Sequence, residues 1–139
     1  MLKGYFVILL CGLLLFGSYG ICTAEKMSVS KRKYDHIIAR HHSDPRLIRA
    51  IITVESNWKH KAVSHEGAIG LMQVLPKTAR AYGVNRQQLF DPETNIRVGC
   101  AILKDYQRTS KSLRHALTKY VGGDRRYYQK VMRAYAQNL

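Results

Sequence analysis

The sequence predicts an all-α, or nearly all-α, single domain. Three observations point there. Apolar residues recur at helical spacing through the long segments after residue 30, two Asp-Pro pairs mark helix starts, and no run alternates apolar and polar residues well enough to read as a strand. At 139 residues the chain has room for one core and not for two.

The first segment is not part of that domain. Met1–Ala24 reads as a secretory signal, with Lys3 as a minimal basic end, Tyr5–Phe16 as the apolar centre and Cys22-Thr23-Ala24 as small residues before a cut at Glu25. The apolar stretch is short for a membrane span and Gly17, Ser18 and Gly20 break it, so no stable span is expected after cleavage. The folded domain is then 25–139. Ser30–His42 predicts a first helix with Ser30 as its cap and Tyr34, Ile37, Ile38 and His41 facing inward. Asp44-Pro45 starts the second, because Asp accepts amides of the first turn and Pro has no amide to lose there. That helix runs to about Ser56. Asn57–Gly70 predicts an irregular segment, Leu71–Val74 a short helical piece, and Pro76 the start of a helix that Gly83 ends.

Asp91-Pro92 repeats the start signal for a helix reaching about Arg108, with Ile96, Gly99, Cys100, Leu103 and Tyr106 inside. Gly99 costs helix stability and predicts close packing against a neighbour. Cys100 reads as a core thiol. Ser112–Tyr120 forms a further helix stopped by Gly122-Gly123, and Asp124 caps the last one, whose inner stripe is Tyr127, Tyr128, Val131, Met132 and Tyr135. The tyrosines of that stripe are expected in the core or at its rim.

The net charge is +14, from 23 Lys and Arg against 9 Asp and Glu. Such a balance suits an anionic partner: nucleic acid, a membrane surface or an acidic polymer. The charge is spread from Lys31 to Arg133 without a long run, so charge alone names none of them. Export removes nucleic acid from that set. The six histidines show no metal-ligand spacing, and neither metal nor cofactor is expected.

Among the nine acids most have a structural reading. Asp44, Asp91 and Asp124 are caps, Glu93 sits in a first turn where the helix dipole favours it, and Asp105 has cations along its own helix. Glu55 is different. Ile48, Ile52 and Glu55 share one helical face, and a carboxyl on an apolar stripe is held protonated to higher pH. A protonated carboxyl near neutral pH is a general acid. Glu66 is the second candidate carboxylate, but its place in the turn predicts that it faces solvent. A glycosidase of the usual kind needs two carboxylates flanking the bond, so the shortage favours chemistry done by one.

The string Glu55-Ser56-x-Trp58, Ala62-x-Ser64, Gly67-Ala68-x-Gly70-Leu71-Met72-Gln73, Pro76-x-Thr78-Ala79 resembles the soluble lytic transglycosylases, which have a lysozyme-like fold. The likeness continues through Asp91-Pro92, Asn95-Ile96, Gly99, Ala116-Leu117 and Tyr120, and it covers nearly all of the chain after residue 30. Glu-Ser joined in register to Gly-Leu-Met-Gln is its specific part. The resemblance implies a single domain with a substrate groove. The implied reaction cleaves the β-1,4 bond between N-acetylmuramic acid and N-acetylglucosamine in peptidoglycan, closing a 1,6-anhydro ring without water. It implies Glu55 as acid and then base, Ser64 and Gln73 lining the groove, the Gly67–Gly70 turn letting backbone approach the glycan, and Tyr120 bonded to Glu55 or orienting it. It further implies a periplasmic protein of the small single-domain branch, which serves secretion or conjugation machines. Where the family's Ala-x-Tyr-Asn pattern has Asn, this chain has Val121. Two alternatives stay open: a lysozyme-like muramidase using water in the same site, and a non-catalytic wall-binding assembly protein.

Overall fold

The computed structural model describes residues 32–137, and from Tyr34 onward the chain forms one compact unit. The proposed signal Met1–Ala24 and the Ser30 cap lie outside the described residues. Helix α1 spans Asp35–His41, α2 Pro45–Ser56, α3 Pro76–Ala79, α4 Pro92–Arg108, α5 Leu113–Tyr120 and α6 Tyr127–Gln137. Two single 3₁₀ turns, Arg80–Tyr82 and Gln87–Phe90, bridge α3 to α4.

The helix starts follow the sequence signals. Asp44 accepts the amide of Leu47 at 3.1 Å, Asp91 that of Thr94 at 2.8 Å and Ser112 that of His115 at 3.2 Å. Asp124 accepts the amide of Arg126 at 2.9 Å, just ahead of α6. Gly83 closes the α3 region in the left-handed conformation, with φ of 70°. α1 begins later than its sequence suggests, at Asp35, and its preceding residue Tyr34 makes no side-chain cap.

Packing follows the apolar stripes. α2 lies against α6, α4 against α5, and α1 against both α2 and α4. Ile48, Ile51 and Ile52 of α2, Ile96, Val98 and Leu103 of α4, Leu117 of α5 and Val131 of α6 are fully buried in one continuous core. Burying such a side chain contributes roughly 1.5–3 kcal/mol each, so the three isoleucines of α2 anchor the element that carries Glu55. Cys100 is 1% exposed in the same core. Gly99 does admit a close neighbour: a Cβ there would meet the Met72 sulfur at 2.6 Å.

One prediction fails. Leu71–Val74 is not helical. Ile69 and Val74 exchange both main-chain hydrogen bonds at 3.0 Å, an isolated antiparallel bridge, and a second bridge pairs Val63 with Ile69. Between the bridged residues the chain turns through Gly70 (φ 81°) and Gln73 (φ 48°). Leu71 and Met72 are fully buried, so the apolar run that resembles a helical piece is the buried tip of a tight loop.

Candidate active site

Glu55 occupies the last turn of α2, one residue before its end. The chain then takes two left-handed residues in succession, Asn57 (φ 47°) and Trp58 (φ 66°). A non-glycine residue in that region costs energy that the surroundings must offset. Trp58 is held there: its ring is 4% exposed, its Nε1 donates to Thr53 Oγ1 at 3.0 Å, and it stacks on Tyr34 at 6.4 Å between centroids. Ser56 ties the helix end to the following loop, its hydroxyl reaching the carbonyls of Ile52 at 3.2 Å and Leu71 at 2.9 Å. Glu55 therefore projects from a fixed helix end.

The loop opposite is built around Asn95, from α4. Its Oδ1 accepts the amide of Met72 at 2.8 Å, and its Nδ2 donates to Ile69 O at 2.8 Å and Leu89 O at 2.9 Å. Asn95 is 1% exposed, and these bonds occupy its donors and an acceptor as a buried amide requires. Gly70 exists for this contact. A Cβ there would lie 2.2 Å from Asn95 Nδ2 and 2.8 Å from Leu89 O. Gly70, expected in the turn that approaches the glycan, is buried against α4 and is not among the residues lining the cavity beside Glu55.

That cavity has a volume of about 430 Å³ and brings together four of the five residues singled out in the sequence: Glu55, Ser64, Gln73 and Tyr120. Gln73 Nε2 donates to Gly70 O at 3.0 Å and Ala62 O at 3.3 Å, which leaves its Oε1 as the acceptor for a ligand. Ser64 Oγ accepts the amide of Ala68 at 3.0 Å, so it shapes the turn and keeps its own hydrogen to donate. Val121 lines the cavity with an apolar side chain, and so does the exposed Glu66 with a carboxylate.

Of the two roles implied for Tyr120, a bond to Glu55 or orienting it, the direct bond is absent. Tyr120 Oη donates instead to Met72 O at 2.9 Å, pinning α5 to the loop. The hydroxyl on Glu55 comes from Tyr127, which donates to Oε1 at 2.5 Å. The sequence places Tyr127 on the inner stripe of α6, and that stripe is the one signal that could have found it. Burial pushes the Glu55 carboxyl up from its ordinary value of 4.5, while the Tyr127 bond and the Lys130 ammonium pull it back in part. The direction is the one the apolar stripe predicts. The C-terminal end of α2 also disfavours negative charge. Tyr120 is itself raised well above 10.0 by burial and by the charge of Glu55. The site is thus a half-buried carboxyl that gains a proton readily, facing a groove lined by hydrogen-bonding side chains.

The chain is similar to known proteins. Residues 34–138 match the model of the transglycosylase SLT domain. A transglycosylase of Enterobacteria phage PRD1 is 36% identical over 85 residues, covering 61% of this chain and 31% of that protein. Membrane-bound lytic murein transglycosylase C of Yersinia pestis is 38% identical over 102 residues, 61% of this chain and 28% of that protein. The chain therefore spans about a third of these relatives' length. The crystal structure of the 70 kDa soluble lytic transglycosylase of Escherichia coli superposes with a TM-score of 0.58 at 28% identity, covering 76% of this chain and 19% of that one. That likeness extends to the fold as a whole, which is the lysozyme-like helical architecture anticipated above. With the family's model matched from 34 to 138, across the loop and both helices that frame Glu55, the chain belongs to the transglycosylase SLT domain family.

Proposed function

We propose that this chain is an exported peptidoglycan lytic transglycosylase acting on the β-1,4 bond between N-acetylmuramic acid and N-acetylglucosamine. The observation that carries the reading is Glu55, a half-buried carboxyl with a raised pKa on the wall of a groove. Protonated Glu55 gives its proton to the glycosidic oxygen as the bond to C1 breaks. The substrate's N-acetyl group stabilises the cationic centre. Glu55, now ionised, takes the proton of the C6 hydroxyl as that oxygen bonds to C1 and closes the 1,6-anhydro ring. An acid that must become a base within one turnover works best with a pKa near the working pH. In this reading Gln73 Oε1 and the Ser64 hydroxyl hold the sugar or its N-acetyl group, supported by their shared position on the groove of Glu55. Val121 offers no polar contact there, so positioning falls to these two residues and to Tyr120.

Export is supported by the leader-like Met1–Ala24 and by relatives that act on murein. Among the described residues no helix is long and apolar enough to cross a membrane. Similarity to a phage transglycosylase supports local opening of the wall, and a secretion or conjugation machine in the periplasm is the proposed setting.

The experiment is digestion of purified peptidoglycan with mass analysis of the soluble fragments. Anhydromuropeptides are expected, and hydrated fragments would move the chain to a muramidase. One observation favours that second reading: Glu66 lines the same cavity as Glu55, where a carboxylate could orient water. If so, Glu66→Gln removes the hydrated products and spares any anhydro ones.

Tyr127→Phe tests how the acid is set. Tyr127 stabilises the ionised carboxylate, so losing its bond leaves burial less opposed and raises the Glu55 pKa further. The acid form then persists to higher pH. The alkaline limb of kcat/KM is expected to move upward, read from initial rates on peptidoglycan across pH. A limb that stays in place would remove Tyr127 from this role.

A further inference from the structure

We propose that a second site, outside the groove, holds a carboxylate of the peptide stem carried by the glycan substrate. The inference rests on the proposed function for its choice of ligand, but its geometry is independent of Glu55.

A cavity of about 500 Å³ opens between α3 and the second 3₁₀ turn, with Arg80 and Arg86 on its walls and Asn85 and Gln88 beside them. Asn85 and Gln88 lock each other. Gln88 Oε1 accepts the amide of Asn85 at 2.9 Å, and Asn85 Oδ1 accepts the amide of Gln88 at 3.0 Å. Each side-chain oxygen is thereby turned to a backbone amide, which leaves the two NH₂ groups to donate elsewhere. Among the described residues neither arginine has an ion-pair partner. Arg86 lies over the Phe90 ring at 5.9 Å, which limits the orientations of its guanidinium. Asp91, the nearest acid in sequence, accepts the Thr94 amide at Oδ2. The cavity thus presents hydrogen-bond donors and positive charge from four side chains, and no acid lines it. Its chemistry selects an anion with at least two acceptor oxygens, and guanidinium forks suit carboxylate or phosphate.

Position favours the carboxylate. The short helix α3 separates the two cavities. Leu75 and Thr78 line the groove of Glu55, while Pro76 and Arg80 line this one. A helix is about 10–12 Å across. An extended peptide of five residues reaches about 17 Å. A stem leaving a sugar in the groove can therefore cross α3 and set a carboxylate between Arg80 and Arg86. The site would make the chain prefer peptide-bearing glycan over bare glycan.

The test uses the full mature chain with Arg80→Gln and Arg86→Gln together, both at exposed positions away from Glu55. On peptide-bearing glycan the double variant should show roughly a tenfold rise in KM, and on glycan stripped of its stems no change. Equal losses on both substrates, or none on either, would overturn the proposal. A binding arm needs no catalysis. A synthetic stem tripeptide with free carboxylates, its fully amidated twin and inorganic phosphate are titrated by NMR into the Glu55→Gln chain. Shifts at Arg80 and Arg86 with the free acid alone support the site. Equal shifts with the amidated twin, no shifts with the free acid, or tighter binding of phosphate would sink it. If no cleavage is seen at all, this arm still decides, so failure of the site and failure of the proposed activity are distinguishable.

Discussion

Glu55→Gln is expected to abolish glycan cleavage while raising the stability of the protein at neutral pH. The amide has nearly the shape of the carboxyl and can still accept the Tyr127 hydrogen bond, so the groove is preserved. It cannot deliver a proton, and general acid catalysis is worth about 10²–10⁴ in rate. Since Glu55 is proposed to act twice in one turnover, the loss should lie at or beyond the upper end of that range. The stability effect follows from linkage. A carboxyl whose folded pKa lies above its unfolded value binds its proton more tightly when folded. Its favourable contribution is complete below the ordinary value of 4.5 and is lost as pH rises through the folded value. Gln is neutral throughout and escapes that loss. Thermal melts should show the variant above wild type at pH 7.5, with the gap closing below pH 4.5. A variant that is less stable at pH 7.5 would mean that Glu55 ionises in the fold without cost, contrary to the burial described.

Asn95→Leu is expected to be the most damaging single change to the scaffold. The two side chains are similar in size, so the loss comes from hydrogen bonds. Met72 N and Leu89 O would lose the buried partner that Asn95 provides, and Ile69 O would keep only its bond from Val74 N. An unsatisfied buried group costs about 1–3 kcal/mol, which puts the change at about 4 kcal/mol. For a domain of this size that is a fall in melting temperature on the order of 20 °C. The loop from Asn57 to Leu75 contains no helix and depends on this anchor to present Gln73 and Ser64. Activity should therefore drop even where the rest of the domain stays folded. Urea denaturation measures the first effect and initial rates at low temperature the second. A destabilisation under 1 kcal/mol would mean that the loop is held by something other than this amide.

Where local chemistry decides the structure, the sequence is readable. Asp44-Pro45 and Asp91-Pro92 start helices because the side chain and the ring act within one turn. Gly83 ends its segment for a similar reason. Ile48, Ile52 and Glu55 share a face by period alone. Leu71–Val74 is misread because four residues, two of them fully buried, carry no usable period, and the bridge with Ile69 depends on what lies beneath. Gly70 is recognisable as a special position, yet its reason is an asparagine 25 residues later in the chain. Tyr127 lies 72 residues from Glu55. Its stripe gives its face, but only the packing of α6 on α2 gives the atom its hydroxyl meets. The family pattern gives Tyr120 its position but not the acceptor of its hydroxyl, which is Met72 O on the loop.

The burial of Cys100 has a consequence under oxidising conditions, such as those of the proposed periplasmic setting. Loss of water around the sulfur pushes the thiol up to about 12. The reactive species in disulfide exchange and in oxidation is the thiolate. At neutral pH only about one molecule in 10⁵ would carry it, and the sulfur is almost wholly shielded from solvent. Mixed disulfides, sulfenic acid and oxidase-catalysed cross-linking therefore all require the domain to open first. Within the described residues this is the one cysteine. The folded domain can pass an oxidising machinery without acquiring a redox state, and Cys100 becomes chemically visible only in molecules that have unfolded.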